Sequence, residues 1–392
     1  FRSGNELAAL KLRLGDDQHE GIDEDGQTLF FHELTRNLFE VDWISEADLR
    51  RYDLHIVEHW QAITKHRNQL EGHVLNMKYF QYLSLLFTEI YLDWYFTKPQ
   101  ALLDGLNEEL ATYSKEQGAE IFQPYIASDL NKIAFWNATG SGKTLLLHVN
   151  IKQYLHYFQA GNSNLYPDKI ILLTPNEGLS KQHLEELELS GFSFSRFFDK
   201  NRTNTFKGTI EIIDINKLGD SMGDKTVAVE AFEGNNLVLV DEGHRGTGTA
   251  AGAWMQRRDA LVRGGFAFEY SATFGQAVAK GNTVAKAEEE LLKKKAKTLF
   301  ETTALKKLDD AQLAQLVLTQ VEQRQARVTA TRETYAKCIL FDYSYKYFYD
   351  DGYGKESLIL NMNGEAYEQA DNAQKYFTAC LLSFYQQTWL WQ

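Results

Sequence analysis

One glycine-rich run constrains the fold of this chain most, because an apolar run precedes it and a helical pattern follows it. The run is Ala138-Thr139-Gly140-Ser141-Gly142-Lys143-Thr144. Glycines let the backbone turn tightly and bring its N–H groups close to a ligand, and a helix that begins at Lys143 adds partial positive charge. Such a turn cradles phosphate groups. The run therefore predicts a strand-loop-helix unit that binds ATP, with Lys143 at the β- and γ-phosphates and Thr144 on Mg²⁺.

The segment around this run alternates short apolar runs with helical patterns. The predicted buried strands are residues 132–136, 169–174, 209–214, 236–240 and 265–270. Helical patterns cover residues 143–158 and 179–189. Strands that alternate with helices are typical of a parallel sheet covered on both faces. We therefore predict an α/β nucleotide-binding fold.

The flanks of this segment are predicted to be mainly helical. Residues 29–113 carry apolar side chains at mixed three- and four-residue spacing. Residues 285–336 resemble a helical hairpin, residues 339–360 a β-hairpin, and residues 365–389 a further helix. The resulting domains are a helical domain (1–118), a nucleotide-binding domain (119–280) and a helical extension with a β-hairpin (281–392). Glutamates interleave the lysines of the extension, which favours a salt-bridged surface over a nucleic-acid surface.

Composition limits the class of protein. The hydrophobic and charged fractions, 44% and 24%, are those of a globular protein. No apolar run approaches the roughly 18 residues of a membrane span. Two cysteines without metal-binding spacing favour a reducing, cytoplasmic location. The net charge of −13 argues against coating nucleic acid by bulk charge, although it leaves a local track of phosphate contacts open.

Two adjacent carboxylates follow the apolar run at residues 237–240. The chain continues there as Asp241-Glu242-Gly243-His244. The carboxyl end of a parallel strand is where such folds place their ligands. We predict that Asp241 holds Mg²⁺ and that Glu242 orients and deprotonates the attacking water. Lys143, Asp241 and Glu242 are therefore the predicted catalytic residues, and ATP and Mg²⁺ the predicted cofactors.

Together with Ser271-Ala272-Thr273, these motifs resemble motifs I, II and III of the superfamily 2 helicases of DEAD/DEAH type. The resemblance is closest to the helicase subunit of type III restriction enzymes, which translocate on DNA. Thr174-Pro175-Asn176 stands where that superfamily has motif Ia, which grips a nucleic-acid strand. One position departs from the pattern, since Asn137 occupies the usual first glycine of the phosphate loop. The resemblance implies a RecA-like first motor lobe, ATP hydrolysis and nucleic acid, most readily DNA, as partner.

The resemblance also implies roles for single residues. His244 would link the ATP site to the hydroxyls of Ser271 and Thr273. Gln123 would contact the adenine edge, with a surface glutamine as the alternative. Arg257 and Arg258 would either contact backbone phosphates or form a solvated pair.

Two features of the sequence bear on turnover and setting. The sequence begins without an initiator Met. It contains no Gly-Arg dipeptide, so it lacks the family's arginine-finger motif. We expect an amino-terminal piece with one lobe, which binds ATP·Mg²⁺ but hydrolyses it slowly. The resemblance favours a restriction or phage-defence system with modification, specificity or other defence subunits as partners. Two alternatives stay open: an RNA helicase or remodeller, and a nucleotide-gated scaffold for partner proteins.

Overall fold

A computed structural model describes residues 12–38, 44–117, 122–161, 166–199, 206–219, 227–228, 232, 234–242, 258–274, 282–354 and 370–390. The strands are β1 (Lys132–Asn137), β2 (Ile170–Thr174), β3 (Ser195–Phe197), β4 (Ile210–Asp214), β5 (Leu218–Gly219), β6 (Val227–Ala228), β7 (Leu237–Asp241), β8 (Phe266–Ser271) and β9 (Ile339–Tyr343). Seven of them form a parallel sheet in the order β3-β4-β2-β7-β8-β1-β9, and β5 pairs with β6 separately. The predicted α/β fold is confirmed, and the bounds of the predicted strands differ from those observed by at most one residue.

The core lies on both faces of the sheet, as expected when parallel strands are joined by crossover connections. Successive side chains of a strand point to opposite faces. In β7, Leu237 and Leu239 therefore join the cluster on one face, and Val238 and Val240 join the cluster on the other. Helix α5 (Lys143–Gly161) follows β1 and helix α6 (Glu177–Leu189) follows β2.

The amino-terminal region is helical, as its apolar spacing predicts. It contains α1 (Leu29–Leu38), α2 (Glu46–Glu71), α3 (Tyr79–Thr97) and α4 (Pro99–Gln117). The side chain of Ser45 caps α2 by accepting from the Asp48 N–H at 3.1 Å, and Gly72 ends the helix with a φ of +73°. Helix α3 packs on α5, and its Tyr91 and Leu92 join the core of the sheet. The proposed domain boundary at residue 118 stays a prediction, and this packing crosses it.

The segment after residue 281 contains α7 (Asn282–Phe300), α8 (Asp310–Gln315), α9 (Gln320–Tyr335) and α10 (Tyr345–Asp350). Helices α7 and α9 lie in the segment predicted as a helical hairpin and pack against each other. Lys293 pairs with Glu289 and Glu290 within α7, and Lys295 pairs with Glu322 of α9 at 2.7 Å. These ion pairs agree with the salt-bridged surface that the sequence predicts.

The β-hairpin expected at residues 339–360 is wrong for its described part. Strand β9 pairs in parallel with β1, and the chain then turns into α10. The alternation of aromatic residues does fit a strand. Its backbone groups, however, pair with the free edge of β1 rather than with a second strand of a hairpin. Residues 355–360 lie outside the described residues.

Residues 352–392 form a compact unit separate from residues 1–351. Its helix α11 (Ala370–Leu390) falls within the helix predicted at residues 365–389, apart from one residue at its end. None of the described helices is long and apolar enough to cross a membrane.

Candidate functional site

The phosphate loop, residues 138–144, connects the carboxyl end of β1 to the start of α5. Gly140 and Gly142 have φ angles of +90° and +84°, a region in which residues with side chains are strained. A Cβ atom at Gly142 would lie 2.4 Å from Nε2 of Gln81. Backbone geometry therefore explains both glycines, and close packing is a second reason at Gly142.

Groups from distant parts of the chain hold this loop in place. The Ala138 N–H donates to the carbonyl of Tyr343 at the end of β9, at 2.9 Å. Nε2 of Gln81, in the first turn of α3, donates to the Ser141 carbonyl at 3.0 Å, while Oε1 of Gln81 accepts from the Lys78 N–H at 2.9 Å. Sequence reasoning missed Gln81, because a glutamine at this helix position indicates only a cap.

The carboxylate that contacts Lys143 belongs to Glu242, just after β7. Nζ of Lys143 lies 2.6 Å from Oε1 of Glu242, and both side chains are about one-eighth exposed, at 12%. The Ser271 hydroxyl, at the end of β8, lies 3.4 Å from the other carboxylate oxygen of Glu242. Three predicted site residues from three segments therefore meet at the carboxyl edge of the sheet.

Glu242 has an unusual backbone. Its φ is +50°, and its N–H donates to the Tyr270 carbonyl at 2.9 Å. A residue with a side chain in this region costs on the order of 1–3 kcal/mol, and such strain tends to occur at functional sites. The strained turn directs the Glu242 side chain toward Lys143.

Asp241, the preceding carboxylate, is buried and has a different partner. Its Oδ2 accepts from Nε2 of His183 in α6 at 2.9 Å. Its Oδ1 has no hydrogen-bond partner among the described residues. Burial and the charge of Asp241 raise the pKa of the neighbouring Tyr270. The Tyr270 hydroxyl donates to Oδ1 of Asn150 rather than to Asp241.

The donor set suits a nucleotide with magnesium. The Oδ1 atom of Asp241 and the hydroxyl of Thr144, the second residue of α5, are oxygen ligands of the kind that Mg²⁺ prefers. The buried hydroxyl of Ser141 also lacks a partner among the residues described. Lys143 and the loop N–H groups supply positive charge for phosphates. Asn137, which replaces the usual glycine, is fully buried, and its carbonyl accepts from Lys143 at 3.5 Å.

The predicted coupling residues are only partly described. Ser271 accepts from the Thr273 N–H at 3.0 Å, which fixes the turn after β8. His244 lies outside the described residues, as does Arg257. The proposed relay from the ATP site through His244 stays a prediction.

The predicted nucleic-acid loop follows β2. The Thr174 hydroxyl is buried against that of Ser180 at 2.6 Å, and the Pro175 carbonyl accepts from Asn216 at 3.2 Å. Asn176 is exposed and caps α6 by accepting from the Leu179 N–H at 2.9 Å. Hydrogen bonds within the chain therefore hold this loop, and Asn176 is the exposed residue of the three.

The structure does not bring Gln123 to the phosphate loop. Gln123 is exposed and precedes Pro124, whose carbonyl accepts from Lys337 at 2.9 Å. Lys337 precedes β9, so this contact lies at the amino end of the parallel sheet, opposite the phosphate loop. This position favours the alternative of a surface glutamine.

Arg258 is neither exposed nor near phosphate-binding groups. Its guanidinium is buried 2.7 Å from the carboxylate of Glu269 on β8, and it also contacts Asp259 at 2.6 Å. Both expectations for Arg258, a phosphate contact and a solvated pair, are therefore wrong.

A parallel sheet with a phosphate loop after β1 and a carboxylate pair after β7 defines a RecA-like nucleotide-binding domain. Residues 103–276 match the family described as "Type III restriction enzyme, res subunit". This part of the chain is therefore similar to the helicase domain of that family, in agreement with its motifs. A comparison with curated proteins found no match.

Proposed function

We propose that this chain binds ATP·Mg²⁺ and couples its hydrolysis to movement on DNA. The contact between Lys143 and Glu242 carries the proposal, because it joins the phosphate-binding cation to the catalytic carboxylate at one edge of the sheet. The family match of residues 103–276 supports a helicase-type motor.

The chemistry assigned to each residue follows from its place. Lys143 and the N–H groups of the phosphate loop bind the β- and γ-phosphates. Thr144 and Asp241 would hold Mg²⁺, which would supply positive charge to the phosphate oxygens. The phosphates compete with Glu242 for the Lys143 ammonium, and the released carboxylate takes the proton of the attacking water. A movement of the Glu242 carboxylate would change its contact with Ser271 and, through Ser271, the turn after β8.

We expect slow turnover by these 392 residues, since the sequence contains no Gly-Arg dipeptide. In related phosphoryl-transfer enzymes an arginine finger contributes about 10³-fold or more to hydrolysis. DNA is the proposed track, in a cytoplasmic restriction or phage-defence system with modification, specificity or other defence subunits. Of the three residues Thr174, Pro175 and Asn176, only Asn176 is exposed, and it is the proposed strand contact.

The test measures binding of a fluorescent ATP analogue to the wild-type chain and to Lys143→Ala, with Lys297→Ala as the control. Lys297 is exposed on α7. Loss of the phosphate contacts should weaken binding at least 100-fold, roughly the worth of two charge-assisted hydrogen bonds. Only the Lys143 variant should show this loss. Equal affinity in both variants would remove the assigned site.

Nucleic acid is tested in the same titration with single-stranded DNA and with RNA of the same sequence. A motor on DNA requires that DNA change nucleotide affinity, because coupled sites change each other's affinities by the same factor. A shift with RNA alone would replace the proposal with an RNA helicase. No shift with either would favour the nucleotide-gated scaffold.

A further inference from the structure

His183 ties the carboxylate of Asp241 to helix α6. The imidazole is 2% exposed and Asp241 is 7% exposed, so water does not compete for their 2.9 Å contact. A carboxylate only accepts hydrogen bonds, and Nε2 of His183 must therefore carry the proton. This contact occupies Oδ2 and leaves Oδ1 without a partner in the described part of the chain.

We propose that His183 is a positioning residue that holds Asp241 in the orientation that binds Mg²⁺. The inference rests on the proposed function and deepens it. A carboxylate free to rotate would lose conformational entropy on binding the ion, whereas the contact with His183 fixes its plane beforehand. Loss of such a partner typically weakens metal binding by about 10- to 100-fold.

The position of His183 also joins two parts of the site. Helix α6 begins directly after Thr174-Pro175-Asn176, where Asn176 caps it. His183 lies two turns into the helix and reaches the end of β7. A displacement of this loop by a bound strand would therefore act on the carboxylate through one rigid helix.

A purely structural role predicts a different result from a positioning role. Removing the imidazole leaves Asp241 buried without its donor, which lowers stability in either case. Only a positioning role requires that the effect of Mg²⁺ on nucleotide binding be lost while binding without Mg²⁺ persists. The test must therefore compare the two conditions.

The experiment measures the Kd of a fluorescent ATP analogue in Mg²⁺ and in EDTA for the full chain. Variants are His183→Ala, which lacks the donor, and His183→Gln, whose amide nitrogen can replace Nε2. His66→Ala, at an exposed site on α2, is the control. We expect His183→Ala to lose about 10- to 100-fold of the tightening by Mg²⁺, with the Kd in EDTA within about twofold of wild type. His183→Gln and His66→Ala should keep the tightening.

Equal Mg²⁺ effects in wild type and His183→Ala would overturn the role of His183 and leave the proposed function standing. An equal loss in Mg²⁺ and in EDTA would also overturn it, since that is the result of a structural role. A wild-type chain that binds no nucleotide would overturn the proposed function and this role together. If the alanine variant does not fold, His183→Phe fills the same space without a donor and takes its place in the comparison.

Discussion

Glu242 illustrates how much of the site depends on one residue. Its carboxylate contacts Lys143 at 2.6 Å and Ser271 at 3.4 Å. Its φ of +50° is unfavourable for a residue with a side chain, and a hydrogen bond from its N–H to the Tyr270 carbonyl on the neighbouring strand holds it. Backbone strain of this kind tends to occur at functional sites, which supports the role proposed for Glu242.

Replacing Glu242 with Gln should separate binding from hydrolysis. The amide keeps the shape but takes up no proton, so hydrolysis should fall by about 10²- to 10⁴-fold, the range of general-base catalysis. Nucleotide affinity should stay equal or rise, because the charge that competes for Lys143 is gone. Single-turnover hydrolysis and nucleotide titration measure the two effects.

Glu177→Gln is the control for this change, since Glu177 is an exposed partner of Lys217. Its hydrolysis should equal that of the wild type. A Glu242→Gln chain that hydrolyses ATP at the wild-type rate would assign the base to another residue.

At the scale of elements, the buried pair of Arg258 and Glu269 joins strand β8 to the helical residues 258–262 that precede it. Their atoms lie 2.7 Å apart, and the residues are 1% and 3% exposed. Buried charges are costly unless they are paired. The pair therefore stabilises the packing of residues 258–262 against β8, which ends at Ser271.

Removing one partner of this pair should be more harmful than removing both. Arg258→Met leaves the Glu269 carboxylate buried and unpaired, which should lower the free energy of unfolding by about 3–5 kcal/mol. The double variant Arg258→Met/Glu269→Leu should regain much of the loss, because both buried charges are gone. Urea unfolding of the two variants measures the difference.

Arg263→Met, which removes an exposed charge from the turn just after residue 262, is the control and should change stability little. An Arg258→Met chain as stable as this control would show that the buried pair does not contribute to stability.

At the scale of the whole molecule, the phosphate loop depends on residues outside the segment that matches the family. Gln81 contacts the Ser141 carbonyl from α3, and Tyr343 contacts the Ala138 N–H from β9. Neither Gln81 nor Tyr343 lies within residues 103–276. Helix α3 and strand β9 thus support a loop whose phosphate-binding residues lie between them in the sequence.

Gln81→Leu should weaken nucleotide binding from outside the motifs. The change removes the donor to Ser141, and one such hydrogen bond contributes about 0.5–1.5 kcal/mol, so the Kd should rise by up to about tenfold. Gln100→Leu, at an exposed position of α4, is the control and should leave the Kd unchanged. The measurement is a titration with the fluorescent ATP analogue, and equal Kd values in the two variants would contradict the role of Gln81.

Most of the strands and the loop could be predicted from the sequence because their signals are local. Buried parallel strands are short apolar runs, and the phosphate loop needs glycines at fixed spacing. Strands β3 and β9 were missed or misassigned for the opposite reason. Strand β9 pairs at one edge of the sheet with β1, which lies far away in the chain, so no local pattern indicates its partner. Strand β3 has only 3 residues and pairs with β4 at the other edge, so its apolar run is too short to recognise.

The sequence by itself determined the fold class, the phosphate loop and the carboxylates at the end of β7, since each depends on neighbouring residues. Only the tertiary structure decided the partners. It placed Glu242 on Lys143, His183 on Asp241 and Gln81 on the loop, and it separated Gln123 from them. Contacts between residues far apart in the chain depend on how helices and strands pack, and packing is a property of the whole core rather than of any one segment.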